Sequence, residues 1–202
     1  MNKEEFLRRL YNACEAVKHA EADLTEIDAK FGDADHGYTM TKIANVIEQC
    51  INESTGSIKQ VLDDISIEVS SINGGSAVPL WSTWLEGLQE GAPDSDELTD
   101  DEIRGMFKTG YEAISDMSGA QVGDKTMMDA LIPATETIIA STEDIAVVMK
   151  AAAIAAGQGA ANTKNFKSKY GRAKAYGDKT IGTPDAGAIS MACFFRGLSE
   201  NM

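Results

Sequence analysis

Basic side chains are scarce in this sequence. Lys and Arg number 18 against 32 Asp and Glu, a formal charge of −14 over 202 residues. So negative a surface repels nucleic-acid backbones and anionic lipid, which argues against either as the main partner. An anionic ligand would need metal cations or a local nest of donors beside it. Cysteine is also scarce, with three in all. Cys14, Cys50 and Cys193 lie far apart with no CxxC spacing, so they read as free, buried thiols in a reducing compartment. The opening residues Asn2-Lys3-Glu4-Glu5 carry acids where a secretory signal has a basic and then an apolar region. No run approaches the roughly 18 apolar residues of a membrane span. The expected location is the cytoplasm. Period-2 alternation is missing too, so strands are not required.

Helical periodicity is present almost everywhere. Phe6, Leu10, Cys14 and Val17 share one face, and a short helical piece covers about 21–29. Further stripes run through Met40–Ile51, Ile58–Ile72 and Leu80–Leu88, the last stopped near Gly91 and Pro93. An acidic connector at 92–101 leads to Thr99, which can cap the next helix with Glu102 three residues on. Ile103–Met117, Met128–Ile139, an Ala-rich stretch over 143–161 and Ala188–Leu198 complete the set. Pro133 is expected in the first turns of its helix or at a kink. About eight helices with no repeat or linker imply one all-α domain over 1–202, an antiparallel bundle or barrel.

Several loops carry glycine and charge that packing does not need. In the segment 28–37, Asp28, Asp33 and Asp35 fall within eight residues, around a helix end and a turn between Gly32 and Gly37. An all-oxygen cluster suits a hard cation, magnesium above all, which leaves positions free for phosphate oxygens. An EF-hand fails on spacing, and His36 has no second soft ligand for zinc. Asp also caps helices and solvates turns, so the residues alone leave both readings open. Charge tips the balance, because crowded carboxylates repel one another unless cations offset them.

A second loop, Asn73-Gly74-Gly75-Ser76-Ala77, opens the helix of Trp81 and Trp84; free N–H groups at such a start bind anions, although Gly-Gly is also a common turn. Arg172, Lys174 and Lys179 stand out in a glycine-rich stretch over 170–190. Arg suits bidentate phosphate contact, whereas the two lysines read as solvated. Gly123-Asp124-Lys125-Thr126-Met127 again sets glycine and polar residues before a helix. His19 reads as an exposed lone histidine, and the two tryptophans read as core.

Together, Gly32-Asp33-Ala34-Asp35-His36-Gly37, Gly74-Gly75-Ser76-Ala77-Val78-Pro79, Gly123 to Met127, and Gly171-Arg172 through Ile181-Gly182 to Asp185 and Gly187 resemble the DhaL family, the ADP-binding L subunit of dihydroxyacetone kinase. The motifs keep the family's order and span about residues 6–198. The resemblance implies an eight-helix barrel with nucleotide held in loops at one end. It implies that Asp28, Asp33 and Asp35 hold two magnesium ions that bridge to the diphosphate of ADP or ATP. His36, Gly37, Tyr38 and Thr39 match a nucleotide-contacting segment, as do Gly75, Ser76 and Ala77, and Gly123, Thr126 and Met127. Arg172 matches the catalytic arginine directed at the phosphates, and Asp185, Ala186 and Gly187 the loop that covers them.

The expected partners are a K subunit that carries dihydroxyacetone and an M-type phosphotransferase subunit that recharges the nucleotide, with a homodimer left open. An L-type subunit of an ATP-dependent kinase for another small ketose is the alternative, followed by a nucleotide-dependent regulator and a lipid-kinase-like relative. Two departures stand out. Ser76-Ala77 replaces the usual Ala-Ser order, and Pro184 precedes Asp185 where the family has proline after it.

Overall fold

Most helices follow from an apolar stripe, and several begin at a polar cap residue. The structure is a computed structural model that describes residues 1–200. Nine α-helices occur among them: α1 (Lys3–His19), α2 (Glu21–Ala29), α3 (His36–Glu53), α4 (Ile58–Ser70), α5 (Ala77–Gly91), α6 (Asp100–Ser118), α7 (Met128–Ala140), α8 (Ile145–Asn162) and α9 (Ala186–Ser199). Short 3-10 turns at Thr163–Asn165 and Arg172–Thr180 interrupt the long connection between α8 and α9. The second turn is broken at Gly177, whose φ of 57° is non-helical. The described residues contain no strand, only an isolated bridge between Asn2 and Glu97.

Short loops make sequential helices antiparallel neighbours. Following contacts from α1 to α3 and then in order through α9 returns to α1, so eight helices close a ring. The ninth, α2, lies against α3 and α9 and delivers its C-terminal end to one mouth of the barrel. The interior is filled by one apolar cluster. Its aromatic centre is Trp81, Trp84, Phe194, Phe195 and Phe107, with Trp81 edge-on to Phe194 at 5.1 Å. Both tryptophans are buried, as the sequence implied. His19 is exposed, and Cys14 and Cys50 are buried free thiols while Cys193 is half-buried.

Pro133 lies inside α7 at its sixth residue, within the first two turns as expected. One expectation needs adjusting. By length and composition α8, with the turn that follows (Ile145–Asn165), is apolar enough to cross a membrane, an 18-residue window in it reaching a mean hydropathy of 1.2. Alanine supplies much of that apolarity. In the barrel the helix turns Val148, Met149, Ala152 and Ala156 inward and packs between α7 and α9.

The end of the barrel where α1, α4, α6 and α8 begin is thoroughly capped. Asn2, Ser57, Thr99 and Asp144 each accept a backbone N–H with their side chains, and Ser57 and Thr99 form full capping boxes with Gln60 and Glu102. The acidic connector ties these starts together. Asp94 accepts from the Ser57 hydroxyl at 2.5 Å, and Asp100 accepts from the Ile145 N–H at 3.0 Å. Caps of this kind contribute about 1 kcal/mol each.

Ring closure depends on close approach of α9 to α1. A Cβ at Gly197 would stand 2.4 Å from the Asn12 carbonyl oxygen and 2.5 Å from the Ala13 Cα. Both obstacles are backbone, so Gly197→Ala should cost about 1–3 kcal/mol of stability, measured by denaturant unfolding followed by circular dichroism.

Candidate functional site

The opposite mouth of the barrel is built differently. There α3, α5, α7 and α9 begin around a cavity of about 430 Å³. The cap residues of α3, α5 and α7 (Asp35, Ser76 and Met127) make no side-chain cap hydrogen bond. At α7, Thr126 takes the Met128 N–H instead, at 3.2 Å. Only α9 has an ordinary side-chain cap, with Asp185 accepting from the Ala188 N–H at 2.8 Å. Helix starts carry partial positive charge and unpaired donors. Converging them on one cavity makes a nest for an anion.

Across the cavity stand the acids. Asp28 closes α2, and Asp33 and Asp35 lie on the turn before α3. One carboxylate oxygen from each lies within 4.8 Å of the others. Gly32 makes this approach possible, since a Cβ there would sit 2.0 Å from Asp28 Oδ1. The Asp35 N–H donates to Asp28 Oδ2 at 3.1 Å, which fixes the turn. Burial, with the charges of Asp33 and Asp28 beside it, pushes the Asp35 carboxyl above its ordinary range. Three oxygen donors so crowded fit a hard divalent cation and are poorly suited to stand without positive charge.

The positive charge paired with these acids is Arg172. Its guanidinium makes a two-pronged contact with Asp33, at 3.0 and 2.9 Å. Arg172 lies on the α8–α9 connection, which leans over the cavity. Tyr176 of the same segment packs on Phe31, with ring centroids 5.2 Å apart. Burial keeps the imidazole of His36 below its ordinary pKa, and its Nε2 pairs with Ser190 Oγ at 3.1 Å.

The sequence-predicted residues are brought together with few exceptions. Asp28, Asp33, Asp35, His36, Thr39, Gly75, Ser76, Ala77, Thr126, Met127, Arg172, Asp185, Ala186 and Gly187 all line the cavity. Gly37, Tyr38 and Gly123 do not. Gly37 is a packing residue, because a Cβ would fall 2.1 Å from the Glu21 carbonyl oxygen. Tyr38 turns outward on α3, and Lys42 Nζ sits 4.5 Å from its ring centroid. Gly123 has a φ of 95° and donates its N–H to the buried Asp129 at 2.6 Å, so it shapes the turn from behind. Lys174 and Lys179 are exposed, as expected for solvated lysines.

Sequence reasoning missed Lys125, which was read only as one polar residue before a helix. It is 4% exposed and reaches from the α6–α7 loop into the α8–α9 connection. The available signals were a rare basic residue and its place between Asp124 and Thr126.

The barrel and site together define a class: an all-helical protein with clustered carboxylates facing a ring of helix starts across one cavity. A family profile described as the DAK2 domain matches residues 30–200, and the chain belongs to that family. The chain is 33% identical over 193 residues to D-erythrulose kinase of Mycolicibacterium smegmatis, covering 92% of this chain and 33% of that protein. It is 31% identical over 172 residues to the ADP-binding subunit DhaL of the PEP-dependent dihydroxyacetone kinase of Escherichia coli, covering 83% of this chain and 82% of that subunit. The solved dihydroxyacetone kinase of C. freundii superposes with a TM-score of 0.75 at 24% identity, over 96% of this chain and 34% of that one, and it shares the fold. The chain thus spans about a third of the length of the two longer kinases and most of the Escherichia coli subunit.

Asp185 gives the site a pH dependence. Set among protein atoms on the cavity wall, its carboxyl is pushed by burial up to about 7. The unfolded carboxyl titrates near 3.9, so between about pH 4 and pH 7 the folded state holds a proton that the unfolded state releases. Stability therefore falls as pH rises through this window, and the full cost of burying the charge is present above it. Asp185→Asn keeps a cap acceptor without the charge. Its melting temperature should exceed the parent's by about 2–4 °C more near pH 8 than near pH 5, read by differential scanning calorimetry.

Proposed function

We propose that the chain is the nucleotide-holding subunit of a small-ketose kinase, active as one unit over 1–202 and only with partner subunits. One observation carries this reading: three clustered carboxylates face a set of helix starts left without side-chain caps, across a cavity open to solvent. Such a pair of walls suits a metal–diphosphate, since the acids take the cations and the N–H groups take the phosphate oxygens.

Asp28, Asp33 and Asp35 would hold magnesium, two ions by family likeness. Magnesium, when bound, supplies charge neutralisation between the carboxylates and the phosphates. The remaining work belongs to the chain's own groups. The helix starts at Ser76–Ala77 and Ala186–Gly187 orient the phosphates, and Thr126 and Met127 border the nucleotide. His36, kept neutral and held by Ser190, fixes the first turn of α3 beside the acids. Arg172 moves from Asp33 to the transferring phosphoryl group, where fixed positive charge favours the transition state. The exposed setting of the Arg172–Asp33 pair makes that exchange inexpensive, because such pairs contribute about 0–1 kcal/mol.

The acceptor is dihydroxyacetone carried on a K-type subunit, and an M-type phosphotransferase subunit rephosphorylates bound ADP. Likeness to a separate PEP-dependent subunit supports this arrangement. The likeness to D-erythrulose kinase favours a four-carbon ketose as the second reading, with the same nucleotide site. A cytoplasmic setting accords with either acceptor, and self-association into a homodimer is compatible with both.

Two measurements test the proposal. ADP should co-purify with the chain and survive dialysis, whereas rapid loss would favour direct exchange with ATP. Asp33→Asn should weaken Mg·ADP binding by roughly two orders of magnitude in calorimetric titration, with the thermal unfolding midpoint little changed. Unchanged affinity would remove the metal assignment.

A further inference from the structure

Lys125 is the least expected residue in the molecule. In a chain short of basic groups, this one is almost wholly buried and adopts a φ of 61°, a left-handed conformation uncommon outside glycine. Its side chain carries three N–H donors. They are shared among four main-chain carbonyl oxygens: Thr163 at 2.8 Å, Thr180 at 2.9 Å, Phe166 at 3.2 Å, and Thr183 in a shorter contact. Burial lowers the Lys125 pKa from the ordinary lysine value, and the nearby charges of Asp185 and Asp129, neither of which touches the ammonium among the described contacts, oppose that shift.

Those four carbonyls are the two legs of one loop. Thr163 and Phe166 lead out of α8, while Thr180 and Thr183 lead back towards α9. Arg172 is near the tip, exposed and paired with Asp33. The legs also meet each other, through Gly182 N–H to the Lys164 carbonyl at 2.7 Å and Ser168 N–H to Thr180 Oγ1 at 3.0 Å. The Asp185 N–H reaches Thr163 Oγ1 at 2.9 Å, which places the start of α9 relative to the same base. Lys125 itself stands on a turn pinned from below. Buried Asp129 accepts from the N–H groups of Gly123 and Thr126, and Asp124 pairs with Lys169 at 2.5 Å. A rigid turn therefore extends a cation into the loop's base, where four carbonyl oxygens surround it as they would a monovalent metal ion.

We infer that Lys125 is a positioning residue for phosphate recognition, its ammonium serving as a built-in monovalent cation that gathers the Thr163–Thr183 loop and so sets Arg172 and the α9 start over the cavity. The inference rests on the nucleotide-binding reading above and adds a residue that itself need touch no phosphate. Its logic is electrostatic. Four carbonyl dipoles pointing at one spot repel each other, and without a cation the legs would separate and Arg172 would lose its fixed place.

The test is a double-mutant cycle in the full chain, with Mg·ADP affinity read by calorimetry and folding by circular dichroism. Lys125→Ala should fold and bind Mg·ADP about tenfold or more weakly. Arg172→Ala should weaken binding in the parent but add little in the Lys125→Ala background, since a misplaced arginine has little left to lose. Methylammonium or potassium should restore affinity to Lys125→Ala, while the bulky tetramethylammonium should not. Should Lys125→Ala lose its helical signal, recovery of both fold and binding in methylammonium supports the cage, and failure to recover in any small cation overturns the positioning role. Parent-like affinity in Lys125→Ala, or an equal cost of Arg172→Ala in both backgrounds, also overturns it. A parent chain that binds no Mg·ADP would instead overturn the nucleotide reading, and this inference with it.

Discussion

The structure depends on one electrostatic constraint: a strongly acidic chain concentrates three carboxylates at a point where nothing neutral can stabilise them. Antiparallel closure of the ring supplies the answer. Alternating helix direction sends the starts of α3, α5, α7 and α9 to the same mouth, and the C-terminal end of α2 brings Asp28 there as well. Partial positive charge from the helix starts therefore faces full negative charge from the acids. A ligand with its own cations and anions, arranged in that order, satisfies both walls at once.

The two ends of the barrel divide their labour accordingly. At one, side chains occupy the helix starts and the acidic connector binds α1, α4, α6 and α8 into a rigid base. At the other, the starts of α3 and α5 are left without such caps, and the connection between α8 and α9 supplies the missing cation through Arg172. That connection is long and mostly exposed, so it needs an anchor. The Lys125 ammonium, buried among four carbonyls, is the strongest candidate for one in its vicinity. Four of the side-chain caps thus lie where no ligand is proposed, and the starts of α3 and α5, where one is proposed, have none; α9, capped by Asp185, is the exception at that mouth.

Much of this was legible in the residues. The helical stripes located the eight helices of the ring, because each has a buried face, and Thr99 and Glu102 announced α6 by their capping box. Asp28, Asp33 and Asp35 were legible because three acids in a turn are costly without a purpose. Tertiary placement was harder to read. Gly37 matches a nucleotide-contacting segment by resemblance, but it does not line the cavity, and the carbonyl of Glu21 lies opposite it. Tyr38 follows the metal motif in sequence, yet helical geometry turns it away from the cavity. Lys125 was illegible as an anchor, because its four acceptors are main-chain carbonyls up to 58 positions away and leave no trace in side-chain identity. Membrane-like hydropathy in α8 arose from alanine, a residue that packs helices as readily as it suits lipid.

Crystals of the chain grown with Mn²⁺ and ADP, measured at the manganese absorption edge, test the central claim most directly. Anomalous peaks within coordination distance of Asp28, Asp33 and Asp35, with the diphosphate against the starts of α5 and α9, are the predicted result. Manganese elsewhere, or a nucleotide bound away from that mouth of the barrel, would contradict the account.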